Sequence, residues 1–265
     1  SDVFLEYQKG WPELHNTKAQ LQFTEKGMWI ESPHSNILSS TSNNTMVTIE
    51  KFLDPILKID ADLKGSASDG LVFLQQSKLL SEDLISTLDV NDNIFINLDL
   101  SIPLKRQKKI DTKVTVTLND AEYYPPGLKR KQGLVSHLKG DVVIHNQSIQ
   151  GKALTATIMN KPAEINMITA KSQSTIPDTK IFIDTQSTIN NLLDYEIIPP
   201  KLNPVMKQLS GNSQVKIQVD LPNQERPFSF TVLSDLKGID SKLPEPLKKS
   251  EKQSLPLKFE VTQVN

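Results

Sequence analysis

Residues 57–64 read Leu-Lys-Ile-Asp-Ala-Asp-Leu-Lys, so apolar and charged side chains alternate without interruption. Successive side chains of a β-strand point to opposite faces, whereas an α-helix repeats every 3.6 residues. The stretch therefore predicts a strand with one charged face in water and one apolar face that needs cover. The function depends on what packs against this apolar face.

The same alternation recurs along most of the chain. It returns in residues 94–104, 113–118, 154–158, 215–221 and 228–232. These strands would place on their apolar faces Leu57, Ile59, Leu63, Ile94, Ile96, Leu98, Leu100, Val114, Val116, Leu118, Leu154, Ile158, Val215, Ile217, Val219, Phe228, Phe230 and Val232.

Short turns and a few helical segments separate the strands. Gly27 and the run Asn146-Gln147-Ser148 predict hairpin turns, which favour an antiparallel meander. Residues 68–76, 81–88 and 188–195 break the alternation and predict short helices.

Composition excludes several classes of function. The 265 residues suffice for one large all-β domain or two small ones, and 30 basic against 31 acidic residues leave a formal charge of −1. This balance gives no electrostatic footprint for nucleic acid. The densest basic cluster, Lys105, Arg106, Lys108 and Lys109, lies between two strands and predicts a solvated turn, with a contact to lipid headgroups or an acidic partner as the alternative.

The chain contains no cysteine and no apolar run as long as a membrane-spanning helix needs. Disulfides and thiolate chemistry are therefore excluded. We expect the chain to be part of a longer polypeptide, because the strand pattern already runs at residues 3–5 and continues at residues 255–261.

Catalytic motifs are missing from the sequence. Of the four histidines, only His137 and His145 lie near each other, and their spacing predicts wet strand or turn positions and no metal site. Asp60 and Asp62 alternate with lysines on a strand face, as expected of a solvated sheet. The polar run at residues 39–44 predicts a loop, and neither a nucleophile elbow nor a phosphate-binding glycine loop is present. We predict no enzyme activity and no cofactor.

Two short motifs recur in the same order. Residues 62–65 and 235–238 both read Asp-Leu-Lys-Gly, and residues 137–140 nearly match them; an Ile/Leu-Pro-Leu-Lys motif follows at residues 102–105 and again at 255–258. This order favours one continuous array of β units that bury their faces against their neighbours, with approximate units 1–65, 66–140 and 141–265.

The opening Phe4-Leu5, followed by Gly10-Trp11-Pro12-Glu13-Leu14, resembles the central region of the bacterial YhdP proteins of the AsmA-like group. The resemblance extends over nearly the whole chain, through residues 63–65, 70–74, 102–104, 234–238, 243–248 and 255–257.

The resemblance implies an all-β fold with a few short helices, an elongated, curved antiparallel sheet whose repeats form a taco-shaped apolar groove. It also implies a periplasmic segment of a protein anchored in the inner membrane of Gram-negative bacteria, which conducts phospholipids toward the outer membrane. The apolar-face side chains named above would then line the groove, acyl chains would slide along them away from water, and headgroups would stay at the open seam. The membrane anchor and the outer-membrane contact would belong to parts of the chain beyond these residues.

Two alternatives remain open at this point. Alternating strands are also typical of a closed β-sandwich, although 6% aromatic and 37% apolar residues are a thin supply for a filled double-layer core. A periplasmic structural or assembly module that binds protein partners through exposed strand edges is the second functional candidate. Trp11 is either a packing residue or a groove-edge residue near lipid.

Overall fold

The computed structural model describes residues 9–78, 80–91, 93–105, 110–125, 134–170, 178–196 and 199–262. The predicted strand at residues 3–5 and the basic residues 106–109 lie outside these ranges.

Strands make up 60% of the chain and helices 12%, which confirms an all-β fold with a few short helices. The strands are β1 (Leu14–Phe23), β2 (Met28–Ile37), β3 (Ser40–Ile49), β4 (Ile56–Ser66), β5 (Val90–Asn91), β6 (Asn93–Pro103), β7 (Asp111–Tyr123), β8 (Val135–His145), β9 (Ser148–Ile158), β10 (Lys161–Ala170), β11 (Asp178–Thr188), β12 (Leu209–Asp220), β13 (Ser229–Ser234), β14 (Ile239–Ser241) and β15 (Leu257–Thr262). The helices are α1 (Ala67–Ser77), α2 (Glu82–Ile85), α3 (Ile189–Asp194) and α4 (Asn203–Met206), with a 3-10 turn at Pro200–Leu202.

The strands pair in chain order in one antiparallel sheet that is not closed. The order runs β1-β2-β3-β4-β6-β7-β8-β9-β10-β11-β12-β13-β15, and β5 and β14 pair with β7 and β12 beside this path. The predicted hairpin turns at Gly27 and at residues 146–148 are confirmed, since they join β1 to β2 and β8 to β9. The two separate sheets of a sandwich are not formed by the described residues.

The chain divides into two compact units. Unit 1 contains Ser1–Ile85, Val90–Ala121 and Asp141–Gln150, and unit 2 contains Ser86–Asp89, Glu122–Gly140 and Gly151–Asn265. The division into three sequence repeats stays a prediction.

In unit 1, helix α1 is tied to the turn between β2 and β3. The Ser66 hydroxyl caps the helix by accepting a hydrogen bond from the Asp69 amide at 3.2 Å. The Asp69 carboxylate in turn accepts bonds from the Ser39 amide and hydroxyl, at 3.0 and 2.6 Å, and from the Ser40 hydroxyl at 2.8 Å. This approach requires a glycine at position 65, because a Cβ there would lie 1.7 Å from the Ser40 Oγ atom.

In unit 2, the loop after β13 is held by a buried lysine. The Lys249 ammonium group donates hydrogen bonds to the carbonyls of Leu236, at 2.8 Å, and of Ile239. Gly211 and Gly238 both have positive φ angles, and a Cβ on Gly211 would lie 2.1 Å from the Gly238 carbonyl oxygen. The loop therefore packs directly against the start of β12, where β14 pairs.

Two predicted elements differ from the structure. The segment at residues 81–88 is helical only over Glu82–Ile85. The predicted loop at residues 39–44 is wrong, because β3 begins at Ser40. Polar side chains are tolerated in this strand because the buried Ser42 and Thr45 hydroxyls bond to each other at 2.8 Å, and Thr45 also bonds to Ser35 at 3.1 Å.

Candidate functional site

The strands of unit 2 carry an apolar band on one face, two side chains wide and five strands long. Cross-strand partners form its two rows, Met167-Ile181-Val219-Phe230-Val261 and Ile165-Ile183-Ile217-Val232-Phe259. At about 4.8 Å between neighbouring strands, each row extends roughly 19 Å across β10, β11, β12, β13 and β15. We call these ten side chains the unit 2 band.

Most of the unit 2 band is accessible to solvent. Ile165 on β10 is buried, the side chains on β11, β12 and β13 are half-buried, and Phe259 and Val261 on β15 are 53% and 36% exposed. The ring centroids of Phe230 and Phe259 lie 6.3 Å apart and the rings are tilted, so the two aromatic side chains contact each other. An apolar surface of this kind is unusual on a protein that binds nothing.

Hydroxyl groups lie on both sides of the unit 2 band, further along the strands. On one side Thr169 and Thr179 are cross-strand partners whose hydroxyls lie 2.6 Å apart. On the other side Ser187 pairs with Ser213, whose hydroxyl lies 3.0 Å from that of Ser234. These hydroxyls are polar margins on parts of both sides, whereas the buried Leu221 after β12 and Phe228 before β13 continue the apolar surface, with the Phe228 ring 6.5 Å from that of Phe230.

The opposite face of the same strands carries the charged side chains, together with the exposed apolar Ile168, Phe182 and Leu233. Lys180 and Asp220 are cross-strand partners whose side chains form an ion pair at 3.3 Å, and Arg226 pairs with Asp178 at 3.0 Å. A polar cavity of about 300 Å³ lies among these side chains. The two faces thus differ as the alternation predicts.

Unit 1 carries a band of the same construction. Its rows are Phe23-Met28-Ile49-Leu57-Ile102 and Leu21-Ile30-Val47-Ile59-Leu100, again across five paired strands. Phe23 and Leu21 on β1 are exposed, whereas Leu100 on β6 is completely buried. We call these ten side chains the unit 1 band.

Helix α1 covers the apolar face beside the unit 1 band. A Cβ atom on Gly70 would lie 3.6 Å from the Cδ1 atom of Ile96, so the helix backbone packs on β6. Phe73 of the helix is buried and meets Trp11 edge-on, with ring centroids 5.6 Å apart. Trp11 is 8% exposed and is therefore a packing residue of this helix contact.

All 18 side chains assigned from sequence to the apolar face are at least half-buried. The buried ones are Leu57, Ile59, Leu63, Ile94, Leu98, Leu100, Val114, Leu118, Leu154, Ile158 and Phe228, and the half-buried ones are Ile96, Val116, Val215, Ile217, Val219, Phe230 and Val232. Seven of them belong to the two bands, four in unit 2 and Leu57, Ile59 and Leu100 in unit 1. Whether they contact lipid stays a prediction.

The sequence-based selection missed the most accessible members of both bands. Leu21, Phe23, Phe259 and Val261 are absent from it although their alternation with polar neighbours is visible in the sequence. They could have been found by following the alternation into the first and last strands of the chain.

The charged faces carry the histidines and carboxylates that the sequence analysis considered. In the part of the chain that the structure describes, no group of three or more His, Asp or Glu side chains could hold a metal ion. His137 and His145 are both exposed on β8, and the His145 ring lies 2.8 Å from the Asp111 carboxylate. Hydrogen bonds from His145 and then Asn146 lower the pKa of Asp111.

Three carboxylates lie close together on the charged face of β4 and its neighbour β6. Asp60 pairs across the strands with Asp99 and lies near Asp62. Partial burial raises the pKa of Asp60 above its ordinary value of 3.8, and the charges of Asp62 and Asp99 raise it further.

The whole chain, residues 1–265, matches the YhdP protein family. It is 24% identical over 265 residues to the intermembrane phospholipid transporter YhdP of Escherichia coli strain K12, an alignment that covers 96% of this chain and 20% of that protein. No solved structure matches the chain. No described helix has the length and apolar character needed to cross a membrane. With a match over its full length, the chain belongs to the YhdP protein family.

Proposed function

We propose that this chain is a periplasmic segment of a bridge that conducts phospholipids between the inner and outer membranes. Acyl chains lie against the apolar bands of the sheet, and headgroups stay in water. The E. coli relative is an intermembrane phospholipid transporter, and the chain spans 20% of that protein's length, so the cargo of the whole protein is carried over here as part of the proposal.

The accessible unit 2 band is the observation that carries this proposal. Ile217, Val219, Phe230 and Val232 form continuous apolar rows and are only half-buried, so an acyl chain could cover them without unfolding the sheet. Removing apolar surface from water contributes about 25 cal/mol per Å², which favours occupation. The row side chains carry no charged or hydrogen-bonding group that would hold a lipid at one point.

Passive conduction requires no catalysis. An acyl chain that slides from one row position to the next exchanges one set of apolar contacts for a similar set. The proposal therefore includes no covalent step and no cofactor. The transporter activity of the relative agrees with a role that is not enzymatic.

The alternative function, assembly through strand edges, has one observation in its favour. β1 and β15 each have a single neighbour in the strand order of the described residues. An unpaired strand edge offers backbone groups to a partner strand.

Native mass spectrometry of the purified chain distinguishes the two functions. We expect phospholipid to remain bound and to be lost in Phe230→Asp, because the carboxylate would have to be desolvated beneath an acyl chain. Thr231→Asp is the matched control, since Thr231 is the next residue on the same strand and points to the opposite face. A lipid-free protein that oligomerises would instead support assembly through strand edges, and a lipid-free monomer would overturn conduction.

A further inference from the structure

Three turns of unit 1 lie together, and two of them present apolar side chains to solvent. They are residues 24–27 between β1 and β2, residues 50–55 between β3 and β4, and residues 104–105 after β6. In the second turn Leu53 is 91% and Phe52 44% exposed, and in the third Leu104 is 50% exposed. We call Phe52, Leu53 and Leu104 the apolar tip.

Hydrogen bonds join the three turns into one platform. The Phe52 amide donates to the Lys26 carbonyl at 2.8 Å, and the Leu104 amide donates to the Pro55 carbonyl at 3.0 Å. The Lys105 ammonium group donates to the Leu53 carbonyl. Because their backbones are already ordered, these turns would lose little conformational entropy on binding a surface.

Charged side chains surround the apolar tip. Lys26, Lys51 and Lys105 are exposed beside it, together with Glu25 and Asp54. Glu50, in the same turn as Leu53, is neutralised by an ion pair with Lys58 at 2.6 Å. The cations thus outnumber the remaining acids, and ammonium groups next to apolar side chains are suited to the phosphates and the acyl boundary of a phospholipid headgroup layer.

We infer that the apolar tip inserts into the headgroup region of a phospholipid bilayer. This membrane contact goes beyond the conduction proposed above, does not depend on it, and is additional to the anchor and the outer-membrane contact expected beyond these residues. The tip side chains lie outside the two apolar bands, so each proposal can fail without the other.

The form of the surface favours a bilayer over a protein partner. A stable protein interface needs about 20–30 residues on each side with matching shapes. The apolar tip offers three protruding side chains on turns, which a fluid bilayer can surround without a complementary shape. A second copy of the chain or another protein would have to supply a matching hollow.

Vesicle flotation tests the inference with the full 265-residue chain. We expect the chain to float with phosphatidylcholine vesicles and more strongly with vesicles that also contain phosphatidylglycerol, because of the lysine excess. The double variant Phe52→Ser with Leu53→Ser should lower the partition coefficient roughly tenfold or more, since two large apolar side chains no longer leave water. Its melting temperature should stay near that of the unchanged chain because Leu53 has few contacts to lose.

The matched control is the double variant Ile168→Ser with Phe182→Ser. These side chains are 50% and 40% exposed, but they lie within β10 and β11 on the charged face of unit 2 and not on turns. The control should float like the unchanged chain. Equal loss in both double variants, no loss in the tip variant, or no flotation of the unchanged chain would overturn the inference. So would a self-association without vesicles that only the tip variant abolishes, because it would assign the tip to a second copy.

Discussion

Gly70 of α1 lies so close to Ile94 of β6 that a Cβ atom at position 70 would come within 3.2 Å of the Ile94 Cδ1 atom. The helix therefore occupies the apolar face at this point of unit 1, and lipid cannot contact the strand there unless the helix leaves. The solvent exposure of the apolar face thus differs between β6 and the half-buried strands β11 to β13, although the alternation in the sequence is the same.

Enlarging Gly70 tests this contact. We expect Gly70→Leu to lower the free energy of unfolding by about 1–3 kcal/mol, because the added side chain has no space between α1 and β6. Gln75→Leu, on an exposed position of the same helix, is the control and should change stability little. Urea denaturation of both variants measures the difference, and a Gly70→Leu variant as stable as the control would show that the helix does not pack on β6.

A buried charge should distinguish the closed from the accessible part of the apolar face. Leu100 is fully buried, whereas Ile217 is half-buried within the unit 2 band. We expect Leu100→Asp to cost more than about 3 kcal/mol, because its carboxylate has neither partner nor water, and Ile217→Asp to cost clearly less. Thermal melts of both variants measure the two costs, with Leu100→Met and Ile217→Leu as controls. Equal costs would show that Ile217 is as closed to water as Leu100.

Asp60 should make stability depend on pH. Its pKa in the folded chain is raised, so the folded state holds the proton more tightly than the unfolded state. Stability should therefore fall as pH rises from about the ordinary value of 3.8 through the raised pKa, and ionised Asp60 should be destabilising at neutral pH.

Asp60→Asn removes this charge. We expect the variant to melt at a higher temperature than the unchanged chain at pH 7 and to lose that advantage in acid, below the ordinary pKa. Melting temperatures across this pH range measure the effect. An advantage that is the same at all pH values would point to a cause other than ionisation.

The alternation in the sequence was sufficient to predict which side chains share a face. Lys216 and Ile217 point to opposite faces because β geometry leaves no other choice. Pairing across strands was harder, since it depends on turns and irregularities such as the register shift between Ser42 and Asn44, which no local pattern indicates. The rows of the bands therefore became visible only with the structure.

The exposed fraction of each apolar side chain could not be predicted from the sequence. Leu100 and Ile217 are both apolar side chains on alternating strands, yet one is fully buried and the other is not. The difference arises from what packs above each strand, which is a matter of tertiary structure. Strand β3 was not predicted for a related reason. Its serine and threonine side chains look solvent-exposed in the sequence, but they are buried because their hydroxyls hydrogen-bond to one another.

Photo-crosslinking at neighbouring residues of β12 shows which face of the sheet phospholipid contacts. A photoreactive amino acid replaces either Ile217, in the unit 2 band, or Lys216, which is 76% exposed on the opposite face, in cells that make the full-length protein. We expect phospholipid adducts from position 217 and none from position 216. Equal labelling of both positions, or labelling of neither, would contradict the claim that phospholipid acyl chains travel along the apolar face.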